Sequence, residues 1–157
     1  MRRAELNDDD GVWTVPASRT KNHRAHAVPL SPLAREIIAA APRIEGDYVF
    51  TTKGTGPMSG WSKAKRALDA QMGKIPPWRL HDLRRTCASG MQRLGVRSEI
   101  IERALNHISG AYGGVAGIYE RDPMTDEVRE AFSRWSKHVA GLVAGKPAAV
   151  VPIRKQR

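Results

Sequence analysis

Leu80, Leu83, Cys87, Met91 and Leu94 recur at helical spacing. At about 100° per residue they fall on one narrow stripe. That stripe predicts a helix within the run from Trp78 to Val96, with one face against a core and Gly95 suited to its end. The start of the helix carries His81, Asp82, Arg84 and Arg85, although the helix dipole favours acids there over bases. By the same arithmetic Arg84 lies about 60° from the centre of the stripe, His81 about 120°, and Arg85 on the opposite, solvated side. Arg84 is therefore expected beside the core with its guanidinium aimed outward. It then needs either a carboxylate, such as Glu99 or Glu102, or an incoming anion. His81, one turn away, either joins it or merely caps the helix. Unpaired N–H groups at a helix start favour an anion as well, and a phosphate would satisfy all of these groups.

The overall charge points the same way. Lys and Arg number 26 against 16 Asp and Glu, a formal net charge of +10. Such a balance suits an anionic partner such as nucleic acid, the alternative being a merely basic surface. The length of 157 residues fits one domain with a real core, and the 41% apolar share argues against disorder. The single cysteine, Cys87, sits on the apolar stripe, which makes it a core residue. One cysteine excludes an intramolecular disulfide framework and fits a reducing compartment. No apolar run approaches the roughly 20 residues of a membrane span. The opening MRRAELNDDD lacks the apolar segment of a signal peptide.

Along the chain, residues 1–11 read as charged and turn-like. VWTVPA (12–17) and AHAVPL (25–30) read as strands, joined through the polar SRTKNHR into a hairpin with a basic tip. Ser31 and Pro32 resemble an N-cap and N1 pair for a helix over about 32–41. DYVF (47–50) is a further strand candidate, and KGTGPMSG a loop. Ser59 is placed to cap a helix to Met72, and Ser98 to cap SEIIERALN. Asp122–Pro123 can start a last helix with Met124, Val128, Phe132, Trp135, Val139 and Leu142 on one face. The fold class expected is α+β, mostly helical, with a small antiparallel sheet near the N-terminus. Residues 1–145 are expected to be one domain and 146–157 a basic flexible tail.

LHDLRRT, then ALNHISG, then VAGIYERD resembles the tyrosine recombinase family, also called phage integrases, and most of all the integrases of prophages and genomic islands. HxxR alone is a weak pattern, whereas HxxR, LNH and a downstream tyrosine in this order form a strong one. The resemblance runs from the hairpin to the last helix and implies the family's catalytic domain. It implies cleavage of one DNA strand by a tyrosine hydroxyl, leaving a 3′-phosphotyrosyl link and a free 5′-hydroxyl, with no metal and no cofactor. On that match Tyr119 is the nucleophile, with Tyr112 as the rival in a glycine-rich setting closer to His107. Arg84 matches the second arginine of the site, His81 the histidine three residues before it, and His107 the second histidine. Lys21 matches the hairpin lysine that serves as general acid; Lys53, His23 and His26 compete for that place, and His26 stands where it can help shape the site.

The chemistry suits these residue types. Phosphoryl transfer requires positioning and neutralisation of charge on non-bridging oxygens. Arginine offers a planar fork that lysine lacks. Tyrosine, with a pKa near 10, needs a proton acceptor or strong local positive charge. Each group also has a bland reading: Tyr119 as an ordinary half-buried tyrosine, His107 as a histidine at a helix C-terminus, Lys21 as a solvated turn residue. Arg19, Lys21, Arg24, Lys63, Lys65 and Arg66 are the candidate DNA contacts, mostly to phosphates.

The sequence departs from the family in two respects. In this match the family's first arginine would precede Met1, and Arg2 and Arg3 come too late to replace it. The N-terminal clamp domain has no counterpart. The chain is therefore expected to be part of a catalytic domain, truncated, mis-started or the product of a decayed gene, with doubtful activity alone and apolar surface exposed on Leu33, Ile37 or Ile38. The resemblance further implies double-stranded DNA as partner, a homotetramer in the intact enzyme, and a cytoplasmic, nucleoid-associated protein with no membrane contact. The competing classes are a DNA-binding protein without catalysis, a type IB topoisomerase-like enzyme and a helical interaction module.

Overall fold

A computed structural model describes residues 1–107 and 125–145. Within them, a three-stranded antiparallel sheet precedes five helices, the α+β arrangement expected. The strands are β1 (Leu6–Asn7), β2 (Val12–Val15) and β3 (His26–Pro29), in that spatial order. Residues 1–11, read as turn-like, also contain a 3-10 turn at Arg3–Glu5 and the short strand β1. The side-chain oxygen of Asn7 accepts the N–H groups of Asp9 and Asp10 and so folds the β1–β2 connection. The β2–β3 hairpin pairs Val12 with Pro29 and Val15 with His26, which leaves residues 16–25 as its tip.

Helix α1 (Pro32–Ala40) starts as its sequence predicts, with the Ser31 hydroxyl accepting the Ala34 N–H and Pro32 in the first turn. DYVF forms no strand of its own. It contributes one isolated bridge, Arg2 with Tyr48, and one buried side chain, Val49. Helix α2 (Trp61–Met72) is preceded by Gly60 in the left-handed region, so Ser59 is not its cap. Helix α3 (Leu80–Arg93) begins two residues after Trp78. Its Asp82 carboxylate accepts the Arg79 N–H, which puts an acid at the positive end of the dipole. In helix α4 (Ser98–Ala104) Arg97 occupies the N-cap position without a side-chain cap bond, and Ser98, expected to be the cap, is the first helical residue. Helix α5 is described over Thr125–Val143; Asp122, Pro123 and Met124 lie outside the described residues.

The core is a three-helix cluster. Met91 of α3, fully buried, clusters with Ile100, Ile101 and Ala104 of α4, with Leu105 just past its end, and with Val128 and Ala131 of α5. Cys87, Ala88, Val96, Phe132 and Trp135 pack around it. The approach of α3 to α5 is set by Gly90, where a Cβ would overlap the Trp135 ring. The predicted stripe is buried only over its second half. Leu80 and Leu83 are exposed, Leu83 by 59%, and so are Trp61, Leu68 and Met72 on α2, which buries no residue. On α1, Ile37 is exposed, as expected. At the end of α5, Leu142 is exposed although its spacing placed it on the apolar face. No helix among the described residues is long and apolar enough to cross a membrane.

Candidate active site at the end of α4

The last turn of α4 has a Schellman closure. Asn106 takes the left-handed conformation at φ 53°. The N–H of His107 bonds back to the Glu102 carbonyl at 2.8 Å and that of Asn106 to the Arg103 carbonyl at 3.0 Å. The Leu105 N–H bonds to the Ile101 carbonyl at 3.0 Å. The Leu105 carbonyl is left for a side chain, and that side chain is Arg84, whose Nη2 donates to it. Arg84 Nε donates to His107 Nε2 at 3.2 Å. Arg84 thus stands at the negative end of the α4 dipole, half-buried, held by a carbonyl and an imidazole. Neither partner is a carboxylate, so these two bonds orient the guanidinium without neutralising it. Acceptance at Nε2 leaves the His107 proton on Nδ1.

The hairpin reaches the same turn. His26 at the head of β3 is half-buried, and burial pushes its pKa down. Hydrogen bonding to the Ala104 backbone works against that shift, and the charges of Arg84 and Arg103 add to it. At the hairpin tip, Asn22 Nδ2 donates to Asn106 Oδ1 at 2.8 Å. Lys21, next to Asn22, is exposed. The structure therefore brings Arg84 and His107 into contact, with the Lys21 backbone one residue from a contact to the same turn. His81 is exposed on α3, one turn before Arg84. Tyr119 and its rival Tyr112 lie outside the described residues. Cys87, three residues beyond Arg84, has its thiol pKa raised by burial, which suits a core residue.

The basic residues differ in their engagement. Arg19 Nη2 meets Glu5 Oε1 at 2.5 Å. Lys65 Nζ lies 2.6 Å from Asp69 Oδ2 and 4.4 Å from the centroid of the Trp78 ring, while the Trp78 indole donates to Asp69 Oδ1. Lys63, Arg66 and Arg24 are exposed. Among the described residues no group of three or more His, Cys, Asp or Glu could hold a metal ion. Sequence reasoning missed Asn22 and Asn106. An Asn just past a helix end was the available signal for the second; for the first there was none.

A mostly helical domain with an N-terminal hairpin, bringing an HxxR arginine onto an LNH histidine, defines the class, and the match to known families agrees. The model of the phage integrase family covers residues 1–115, and the chain belongs to that family. The chain is also similar to the prophage integrase IntA of Escherichia coli (strain K12), with 26% identity over 145 residues. That match takes in 90% of this chain and 34% of the relative, so the chain spans about a third of the length of that protein. No solved structure matches it.

Proposed function

We propose that this chain carries the phosphate-handling part of a site-specific DNA recombinase that cleaves and rejoins strands through a 3′-phosphotyrosyl intermediate. The observation that carries this reading is the pairing of Arg84 with His107 and the Leu105 carbonyl, which presents a charged guanidinium in a fixed orientation. A planar fork of that kind matches two non-bridging phosphate oxygens. In the step proposed, the Tyr119 oxygen bonds to phosphorus as the bond from phosphorus to the 5′-oxygen breaks. The phenol proton passes to the His81 imidazole, and the 5′-oxygen takes a proton from the Lys21 ammonium. Arg84 and His107 hold the phosphate. The phosphotyrosyl ester conserves the bond energy, so the 5′-hydroxyl can reverse the step.

In this reading residues 1–145 form part of a catalytic domain, residues 146–157 are a basic tail, and double-stranded DNA is the partner. The intact enzyme works as a homotetramer on two DNA sites, in the cytoplasm at the nucleoid. The test is a duplex with a nick beside the cleavage site, which traps the covalent intermediate. A protein–DNA adduct that survives denaturation and disappears in Tyr119→Phe supports the reading. Absence of adduct across salt and pH overturns catalysis by this chain.

The net charge of +10 favours a second reading, DNA binding without cleavage. A Tyr119→Phe variant identical to the unmodified chain in every DNA assay would support it.

A further inference from the structure

Helices α3 and α4 end in the same backbone motif but with different residues. At the end of α3, Gly95 takes the left-handed position at φ 79°, with Val96 N–H bonding to the Met91 carbonyl and Gly95 N–H to the Gln92 carbonyl. A Cβ there would meet nothing within 4 Å, and the residue is the glycine that such a position favours. At the end of α4 the same position holds Asn106, a side chain that tolerates the left-handed region less readily than glycine does. What the asparagine adds is its carboxamide, and that carboxamide is used. Its Oδ1 accepts Asn22 Nδ2 at 2.8 Å, across 84 residues of chain.

Asn22 is committed at both ends of its own amide. Its Oδ1 accepts the Arg24 N–H at 3.1 Å and shapes the hairpin tip, while its Nδ2 fastens that tip to Asn106. The tip is closed independently by the His23 N–H on the Thr20 carbonyl, with the Thr20 hydroxyl within hydrogen-bonding distance of the Arg24 carbonyl. Lys21 precedes Asn22 and His107 follows Asn106. The Asn22–Asn106 bridge between the two turns therefore stands directly beside both candidate catalytic groups.

We propose that Asn22 and Asn106 are positioning residues that fasten the Lys21 turn to the His107 turn, and so fix where Lys21 delivers its proton to the departing 5′-oxygen. The proposal rests on the reading of Lys21 as the general acid. Both amides are neutral, so the link stays intact across the pH range in which lysine and histidine titrate.

Asn106→Gly is the informative variant, since glycine keeps the left-handed backbone while the side chain with its carboxamide is lost. The first measurement uses the full chain with Cys87→Ser and a nitroxide attached through Lys21→Cys. Asn106→Gly and Asn22→Ala are each expected to increase the mobility of the label, and Asn106→Asp, which still accepts from Asn22, to restore it. Unchanged mobility in both variants overturns the fastening, whatever the activity of the chain. The second measurement compares nicked duplexes with oxygen or sulfur at the bridging 5′ position, because a thiolate leaves without an acid. Asn106→Gly is expected to slow cleavage of the oxygen duplex by roughly 10- to 100-fold and to leave the sulfur duplex unaffected, as Lys21→Ala should. If Lys21→Ala shows no difference between the duplexes, Lys21 is not the acid. If Lys21→Ala shows the difference and Asn106→Gly does not, the positioning role fails on its own.

Discussion

Arg84 donates from Nε to His107 Nε2 at 3.2 Å while its Nη2 is held by the carbonyl of Leu105. These two bonds orient the guanidinium, and in the proposed reaction preorganisation of that kind is where phosphoryl transfer gains most. Arg84→Lys keeps the charge and loses the fork. Single-turnover cleavage should fall by roughly 10²–10³-fold, while low-salt DNA affinity stays near that of the unmodified chain. A matching loss of binding would mean that Arg84 serves affinity rather than the transition state.

Gly90 makes a separate prediction about stability. It lies inside α3, where glycine is a poor helix former by about 1 kcal/mol relative to alanine. It is nonetheless required, because a Cβ there would overlap the ring of Trp135 on α5. Gly90→Ala should destabilise the fold by about 1–3 kcal/mol through overpacking, despite its better helix propensity. Urea unfolding would measure this. A stabilised variant would show that α3 and α5 can separate without loss.

Periodicity and caps made the helices legible in the sequence, because a side chain repeating every turn and an N-cap such as Ser31 act locally. Leu80 and Leu83 were expected in the core and are exposed, since a stripe records which residues can be buried and not whether a neighbour covers them. The DYVF run had strand composition but found only one bridging partner, at Arg2. In the site, the type and spacing of Arg84 and His107 were visible. The group that seats Arg84 was not, because it is the carbonyl of Leu105, and every residue has a carbonyl. The Asn22–Asn106 bond was equally hidden, as it joins residues 84 apart through two ordinary amides.

Two ionisable groups near the hairpin make the fold sensitive to acid. Partial burial of Glu5 would raise its carboxyl pKa. The N–H of Arg2, the Trp13 indole and Arg19 outweigh that and hold it at about 2 instead of the usual 4.5. In that window the unfolded chain carries a proton that the folded chain refuses. The contribution of Glu5 is therefore complete above 4.5 and is lost as pH falls towards 2. Glu5→Gln should flatten the dependence of unfolding on pH across this range, and an unchanged slope would contradict the assignment.

The pKa of His26 is also lowered, by burial first, so it favours the neutral imidazole in the fold. Its contribution is complete above its ordinary value of 6.5 and is lost as pH falls below it. An NMR titration of the imidazole protons should give a midpoint below 6.5. Arg84→Ala should move that midpoint part of the way back, because the Arg84 charge is one of the secondary causes. A midpoint at or above 6.5 would mean that His26 is more open to water than its place beside Ala104 indicates.

Lys63, Lys65 and Arg66 stand within one turn of α2 yet should behave differently on DNA. Lys65 is tied to Asp69 and stacked over Trp78, with only 22% of its side chain exposed. Asp69 holds the Trp78 indole as well, so the trio fixes the Pro76–Pro77–Trp78 connection that leads into α3. Lys63 and Arg66 are exposed and available for phosphates. Each phosphate contact contributes about 0.9 to the slope of log affinity against log salt. Lys63→Ala and Arg66→Ala should each reduce that slope by roughly 0.9 if both contact DNA, with little effect on folding. Lys65→Ala should leave the slope nearly unchanged and lower thermal stability instead, because it removes the cation from the Trp78 ring and the ion-pair partner of Asp69. The reverse pattern, a reduced slope for Lys65→Ala with unchanged stability, would show that the Asp69 pair opens on DNA and that Lys65 is a phosphate contact after all.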